Sequence, residues 1–460
     1  MITNITARDK KYHLIGKNYI TNNENVFTLI TGRNGVGKSR MLSFIVNHFI
    51  PKKDQNKFYK ELYDSVDDRY FEIDYDFVPS NIIAVSTSAF DKFPVPKRRE
   101  RLSNYSYLGI RGLSSLNISS EYLSKIIYKL IASLINHNMD MSRIANVLGY
   151  LGYHDEIEIS LVMRSSNERF KEISASHDHY IAFEQIFLKS IPFPMNINRS
   201  AFLKDDGALD KEKIDYALYI LSQLNYKEKR PIHKMIIDQL GVHIDTGLFN
   251  EVSDDFIFLI ESGFLYTRYV TLHNKNSNER FRINNASSGE QCIVMSILGI
   301  ASQIQDNSII CIDEPEICLH PEWQEKYISI LMDTFKDYHN CHFIIATHSP
   351  QITSKLKSHN CFILSMQDGK VNNASNFINR SIDFQLANIF KAPGYKNEYL
   401  MRELISFLSE LTETKKISHT RLIEIEKILG LKDVIENTDP VKKLMTLVAK
   451  SLSERRNDFQ

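Results

Sequence analysis

The stretch Gly32–Ser39, with the sequence GRNGVGKS, fits the pattern GxxxxGK[ST] of a phosphate-binding loop. The apolar run Val26–Thr31 before it is typical of a buried strand, and the residues from Met41 onward are typical of a helix. In this setting the glycines let backbone N–H groups turn toward a phosphate, and the helix N-terminus adds partial positive charge. The loop therefore predicts an α/β domain that binds a nucleoside triphosphate.

Two side chains of this loop have specific expected roles. Lys38 would reach the β- and γ-phosphates, and the Ser39 hydroxyl would be a ligand of Mg²⁺. A glycine-rich turn without a ligand is the alternative if the loop is considered alone. The nucleotide-binding residues predicted here are Asn34, Gly35, Gly37, Lys38, Ser39 and Arg40.

The bulk properties narrow the class of protein. The 460 residues include 56 Lys and Arg and 56 Asp and Glu, so net charge is zero, which argues against a globally basic nucleic-acid binder. Lys97–Arg98–Arg99 and Arg101 form a basic loop that either contacts phosphates or is simply solvated. Five cysteines without a CxxC pair indicate reduced thiols. There is no apolar signal core and no run of membrane-spanning length, so we expect a cytoplasmic protein.

The order of apolar runs suggests one α/β core that is divided along the chain. Residues 1–115 and 263–392 are predicted to form its two halves, separated by a helical insertion at 116–262 and followed by a helical C-terminal region at 393–460. A hairpin is expected at 264–283. The C-terminal helices are expected at about 397–412, 418–429 and 441–454.

The run Ser308–Ile312 reads as a buried strand that leads into two acidic residues. Acids at the carboxyl end of a parallel strand lie in the crevice where α/β sheets bind ligands. We expect Asp313 to hold Mg²⁺ and Glu314 to polarise the attacking water as a general base.

Two further segments have the character of phosphate contacts. Ser288 and Gly289 open a helix, whose N-terminus would be a second phosphate-binding device, although an ordinary serine N-cap is the alternative. His348 follows the apolar run that ends at Thr347, and there it is either a catalytic contact or an exposed histidine.

The run DEPEICLHPEWQ from Asp313 to Gln324, taken with SSGEQ and ATHSPQI, resembles the ABC-like ATPases of the OLD family and their relatives in bacterial phage defence. The resemblance covers about residues 14–115 and 262–390. It implies an ABC-type P-loop NTPase core in which Ser288 and Gly289 face the γ-phosphate held by a second subunit. It also implies that His348 is the switch histidine.

One position departs from the pattern of that superfamily. ABC ATPases carry a glutamine after the second strand of the core, which senses Mg²⁺ and the γ-phosphate. Here the strand Ile82–Ser86 leads to TSAFD, with no glutamine. The candidates to replace it are Ser86, Thr87 and Asp91.

The process that ATP hydrolysis drives is inferred mainly from the nuclease motifs that the sequence lacks. No DxD pair follows Phe390, so we expect no Toprim nuclease domain, and His177–Asp178–His179 is expected to be a polar loop. The architecture resembles the PtuA family, the ATPases of the Septu system. That resemblance implies a homodimer or higher oligomer, an HNH-type nuclease partner like PtuB, DNA contact through the complex and no membrane partner. Leu400, Leu404, Ile405 and Leu408 form a stripe that suits either a partner or internal packing.

Three other functions remain open from the sequence. An SMC- or RecF-like repair ATPase would bind DNA by itself, with a steep dependence on salt. The nucleotide-binding subunit of a transporter would fractionate with membranes. A nucleotide-gated scaffold would bind ATP tightly with negligible hydrolysis.

Overall fold

The fold was analysed in a computed structural model of the chain. It describes residues 1–7, 10–16, 19, 23–58, 71–96, 104–111, 118–135, 141–163, 167–188, 197–204, 207–223, 232–245, 253–356, 359–412 and 417–458. The strands are β1 (Ile2–Ala7), β2 (Lys10–His13), β3 (Val26–Thr31), β4 (Phe71–Tyr75), β5 (Ile82–Ser86), β6 (Tyr105–Gly109), β7 (Tyr153–Met163), β8 (Ile232–Asp238), β9 (Gly241–Asp245), β10 (Leu265–Asn274), β11 (Arg280–Arg282), β12 (Ile309–Asp313), β13 (His342–Ala346), β14 (Cys361–Ser365) and β15 (Lys370–Asn373).

The helices alternate with these strands in the core and follow one another in the tail. They are α1 (Lys38–Phe49), α2 (Ile118–Ile135), α3 (Met141–Tyr150), α4 (Asn167–Ser174), α5 (His179–Phe183), α6 (Lys211–Gln223), α7 (Asp254–Glu261), α8 (Ser288–Ala301), α9 (Pro321–Thr334), α10 (Pro350–Ser354), α11 (Ile382–Asn388), α12 (Glu398–Thr412), α13 (His419–Leu429) and α14 (Pro440–Asp458). Within the described ranges, none of them combines the length and the apolar character needed to cross a membrane.

A seven-stranded sheet forms the centre of the fold, in the order β15-β14-β3-β13-β12-β5-β6. All neighbouring pairs are parallel except β14 with β15. Side chains of β12 alternate between two apolar cores, since Ile310 and Ile312 face one while Ile309 and Cys311 face the other. Burial on both faces explains why these strands read as continuous apolar runs. The predicted α/β fold with a P-loop core is confirmed.

The insertion differs from the expectation of a helical segment. It contains helices α2 to α7, but also β7, β8 and β9, which join β10 and β11 in an antiparallel sheet of order β11-β10-β7-β8-β9. The reason is the alternation in β7, where Ile157, Ile159 and Leu161 are all buried on one face. The predicted hairpin at 264–283 is confirmed as β10 and β11.

The C-terminal region has an apolar core of its own. Its helices α12, α13 and α14 confirm the three predicted segments, and Leu400 and Leu404 are completely buried among them. Leu408 is partly buried, whereas Ile405 is 52% exposed. Internal packing therefore accounts for most of the stripe that the sequence left open.

Candidate nucleotide site

The phosphate-binding loop connects β3 to α1 at the carboxyl edge of the seven-stranded sheet. Gly35 and Gly37 have φ angles of 79° and 102°, in the left-handed region that favours glycine. A Cβ atom at either position would meet no atom within 4 Å, so the space beside both glycines is open. Asn34 and Arg40 are exposed. The loop therefore has the shape that the sequence pattern predicts.

Lys38 lies under the loop and is 5% exposed. Its Nζ donates to the carbonyl oxygens of Gly32 at 3.1 Å and Arg33 at 3.4 Å, and it also contacts His348 Nε2. Burial lowers the pKa of the Lys38 ammonium, while the carboxylates of Glu314 and Asp313 oppose that change. The ammonium is held at the base of the loop, where it would meet a β- or γ-phosphate.

Ser39 and Asp313 come together although 274 positions separate them in the chain, and Ser39 Oγ donates to Asp313 Oδ1 at 3.1 Å. Asp313 is 2% exposed, and burial raises its pKa to about 7. A carboxylate buried beside a hydroxyl offers the hard oxygen ligands that Mg²⁺ prefers, and a bound cation would offset the desolvation of Asp313. The two residues predicted as metal ligands thus fit that ion.

Glu314 and His348 face each other across the ends of β12 and β13. Glu314 Oε1 lies 3.4 Å from His348 Nε2, and the Glu314 backbone N–H donates to the Ala346 carbonyl at 2.9 Å. Burial and the nearby Lys38 charge lower the pKa of His348 to about 4, so the imidazole is neutral at pH 7. Glu314 has a φ angle of 49°, a left-handed conformation that is costly for a residue with a side chain.

Ser288 and Gly289 lie in the first turn of α8. Ser287 is the N-cap of this helix, because its Oγ accepts from Glu290 N at 3.3 Å, and Ser288 is exposed. No hydrogen bond joins either residue to the phosphate-binding loop in the described ranges. The structure therefore brings together Lys38, Ser39, Asp313, Glu314 and His348. Within the described ranges, neither Ser288 nor Gly289 is hydrogen-bonded to this group.

One residue of the segment that lacks the glutamine, Asp91, forms a buried ion pair. The carboxylate of Asp91 is buried, accepts from Tyr107 Oη at 2.7 Å and pairs with Arg111 at 3.1 Å. Thr87 lines a small cavity that also includes Asp313, and Ser86 is the parallel-strand neighbour of Asp313. Asp91 is therefore committed to a structural pair, while Ser86 and Thr87 stay candidates for the missing contact.

Other predicted features have structural explanations or lie outside the described residues. Asp178 caps α5 by accepting from Tyr180 N at 3.0 Å and Ile181 N at 3.1 Å, and His179 lies 3.3 Å from Asp215. Across the described part of the chain, no three His, Cys, Asp or Glu residues are grouped as a metal site, and none of the five cysteines is in a disulfide. The basic loop at 97–101 lies outside the described residues.

Sequence reasoning assigned no role to several residues around the site. Glu316 and Gln324 bind the segment that carries His348, and Tyr153 Oη in β7 donates to Glu290 Oε1 at 2.5 Å, which joins the insertion to α8. Glu316 and Gln324 lie within the DEPEICLHPEWQ run, so the run itself was the available signal. The Tyr153 contact spans 137 positions and left no local signal.

Comparison with known proteins assigns this chain to a family. The model of the AAA ATPase domain family matches residues 12–353 of the chain. The probable ATPase of retron Ec83 from Escherichia coli is 33% identical over 99 residues, which is 19% of this chain and 18% of the relative. The probable ATPase of retron Vc95 from Vibrio cholerae serotype O1 biovar El Tor is 27% identical over 192 residues, 36% of this chain and 35% of the relative. The matched segments thus span about a third or less of these relatives.

Among solved structures, one similar chain is the Smc head domain from Pyrococcus furiosus bound to the C-terminal domain of ScpA. It is 11% identical, with 82% of this chain and 97% of that chain covered, at a TM-score of 0.30. A protein of Streptococcus thermophilus, Stu0660, is 13% identical, with 98% and 93% covered, at a TM-score of 0.31.

Proposed function

Because this chain belongs to the AAA ATPase domain family, we propose that it binds ATP with Mg²⁺ and hydrolyses it at the carboxyl edge of its seven-stranded sheet. The observation that carries this proposal is the convergence of five side chains from three strand ends. Lys38 contacts His348, Ser39 lies 3.1 Å from Asp313, and Glu314 lies 3.4 Å from His348. A cation, a metal-ligand pair and a carboxylate base at one edge are the parts that phosphoryl transfer needs.

Each group has a distinct task in this proposal. Lys38 binds the terminal phosphates, and Ser39 with Asp313 would hold Mg²⁺, which neutralises phosphate charge when bound. Glu314 is 30% exposed at its side chain, so water reaches the carboxylate that would accept its proton. The neutral imidazole of His348 would hydrogen-bond to the γ-phosphate without competing with Lys38 for charge.

We further propose that two copies of the chain form a head-to-tail dimer around two ATP molecules. Ser288 is exposed at the start of α8 and makes no hydrogen bond to the loop of its own chain in the described ranges. A helix N-terminus that is free to face solvent suits a phosphate held by another subunit. Each nucleotide site would then combine Lys38 of one copy with Ser288 and Gly289 of the other.

The substitution Glu314→Gln tests both parts. It keeps the size of the side chain and removes the base, so ATP should still bind while turnover falls by about 100-fold or more. The variant should then remain a dimer in the presence of ATP, as measured by size-exclusion chromatography with light scattering. Turnover is measured in parallel as phosphate release. The exposed Glu322→Gln on α9 is the matched control. Unchanged turnover together with an unchanged monomer would refute the assignment.

For the biological role, we propose that ATP controls a partner nuclease in defence against phages, as in the Septu systems. The relatives named as retron ATPases and the DEPEICLHPEWQ run support this role. The partner would be an HNH-type nuclease that cuts DNA within the complex. Cleavage by the reconstituted complex should change when Glu314→Gln replaces the wild type, and nuclease activity that is indifferent to ATP would argue against it.

A second candidate, an SMC- or RecF-like ATPase that binds DNA itself, is favoured by one surface feature. Arg268 and Arg282 flank the ring of Tyr269 at 5.1 and 4.0 Å from its centroid, and neither has a carboxylate within 4 Å in the described ranges. Unpaired guanidinium groups over an aromatic ring suit stacking with bases and contact with phosphates. Filter binding of DNA to the isolated chain at increasing salt separates the two candidates, because only this one predicts a steep slope.

A further inference from the structure

The turn after Glu314 is bonded to the segment that carries His348. It is a short 3-10 turn, Pro315–Cys318, whose Glu316 points back toward the end of β13. Glu316 Oε2 accepts from Thr347 Oγ1 at 2.9 Å, and Glu316 Oε1 accepts from the backbone N–H of His348 at 2.5 Å. One carboxylate therefore fixes two successive residues at the position where the imidazole leaves the backbone.

The next helix holds the same segment from a second point. Gln324 in α9 donates from Nε2 to the Leu319 carbonyl at 2.9 Å, and its Oε1 accepts from Ser349 Oγ at 2.6 Å. Ser349 in turn is the N-cap of α10. Residues 347, 348 and 349 are thus each held by a side chain from the stretch that follows Glu314.

The start of α8 rests on the backbone of that same stretch. A Cβ atom at Gly289 would lie 3.1 Å from the Cys318 carbonyl oxygen and 3.6 Å from His320 N. Such a close approach means that a displacement of Gly289 toward this turn must move the turn as well. Continuous contacts therefore run from Gly289, through the turn at 315–320, to His348.

We propose that Glu316 is a positioning residue, supported by Gln324, that sets the imidazole of His348 in response to the contact made by the start of α8. This relay rests on the proposed function, because the object that Ser288 and Gly289 would contact is the ATP of a second copy. Closure of one site would then align His348 in the other, so that the two sites of the dimer hydrolyse ATP together. In this proposal Glu316 makes no contact with the nucleotide and acts through residues 347 and 348.

The first test separates hydrogen bonding from charge at Glu316. Glu316→Ala removes both acceptors, and we expect kcat to fall roughly 10- to 100-fold while the dissociation constant for a fluorescent ATP analogue changes less than about threefold. Glu316→Gln keeps an acceptor for the His348 N–H and should recover most of the loss. Equal losses in the two variants, or no loss in either, would overturn the positioning role. Glu322→Gln on the exposed face of α9 is the control.

A second measurement does not depend on turnover. Hydrogen exchange, followed by mass spectrometry of peptides that contain His348, should be faster in Glu316→Ala than in the wild type and unchanged in Glu322→Gln. If Glu316→Ala does not fold, Thr347→Val keeps nearly the same volume and removes one of the two bonds of Glu316, together with the bond that Thr347 Oγ1 accepts from Ser349 N at 3.0 Å. No change of exchange in the variant that folds would refute the proposed contact, whether or not the wild type hydrolyses ATP.

A double-mutant cycle tests the relay itself. Ser288→Arg should block the contact in trans, and if Glu316 transmits that contact, then adding Glu316→Ala to Ser288→Arg should lower kcat by less than the product of the two separate losses. Losses that multiply would show that the two residues act independently, and the relay would be wrong. A wild type without ATPase activity would instead refute the proposed function, while the exchange measurement would still decide the role of Glu316.

Discussion

His342 gives the sharpest prediction about the stability of the core. The ring is completely buried, with Nε2 2.9 Å from Thr28 Oγ1 and Nδ1 3.3 Å from the backbone nitrogen of Ile2. Thr28 Oγ1 donates its own hydrogen to the Leu14 carbonyl at 2.9 Å, so it must accept from His342. The proton therefore resides on Nε2, and Nδ1 accepts from Ile2. Protonation of Nδ1 would place its N–H opposite the backbone N–H of Ile2, so that two donors would face each other without an acceptor.

The magnitude follows from the change in pKa. Burial lowers the pKa of His342 to about 3 in the folded chain, against an ordinary value of 6.5. The unfolded chain therefore binds more protons between these values, and the stabilisation that is present above pH 6.5 is lost as the pH falls toward 3. At pH 5 the loss is about 2 kcal/mol relative to pH 8, from 1.36 kcal/mol for each pH unit below about 6.5.

The assay compares His342→Gln with the wild type by urea unfolding at pH 8 and at pH 5. Glutamine does not titrate, so the free energy difference between the two proteins should shrink by about 2 kcal/mol at the lower pH. Titrating groups that do not interact with His342 affect both proteins equally and cancel. The substitution His359→Gln is the control, because that side chain is 52% exposed. A difference for His342→Gln that is the same at both pH values would refute the assignment of a buried neutral imidazole.

Two further substitutions test contacts outside the site. Tyr153→Phe removes the bond to Glu290 and should lower the free energy of unfolding by about 1 kcal/mol in urea titrations, since the partly exposed Glu290 can be rehydrated. Arg421→Met removes ion pairs to Glu403 and Glu410 at 2.8 and 3.2 Å, and it should cost about 1 kcal/mol, an effect that shrinks in high salt. Stability of the Arg421 variant that is equal to the wild type at low salt would contradict the second expectation.

The local parts of the fold could be predicted from the sequence because they depend on local patterns. The strands that end at Thr31 and Asp313 are buried on both faces and read as unbroken apolar runs. The helix α13 begins where Ser418 caps it, and that serine is visible in the sequence. The phosphate-binding loop and the acids of β12 have spacings that few other structures require.

The predictions that failed concern residues and strands whose partners lie far away in the chain. The strand β8 pairs with β7 across 70 to 80 positions, and no tight turn connects these two strands. Asp91 was a candidate for the missing glutamine because the sequence does not show that Arg111 will pair with it. The same limit applies to Glu316, whose two bonds reach residues 31 and 32 positions away.

The backbone at Glu314 places a conflict inside the fold. Its φ of 49° suits glycine or asparagine, and the following Pro315 further disfavours compact conformations at this position, so glutamate there costs about 1 kcal/mol or more. Selection for thermal stability alone would favour replacement of this residue. A screen for variants of higher thermal stability should therefore accumulate glycine or asparagine at position 314. Each such variant would have lost the carboxylate that we assign as the base.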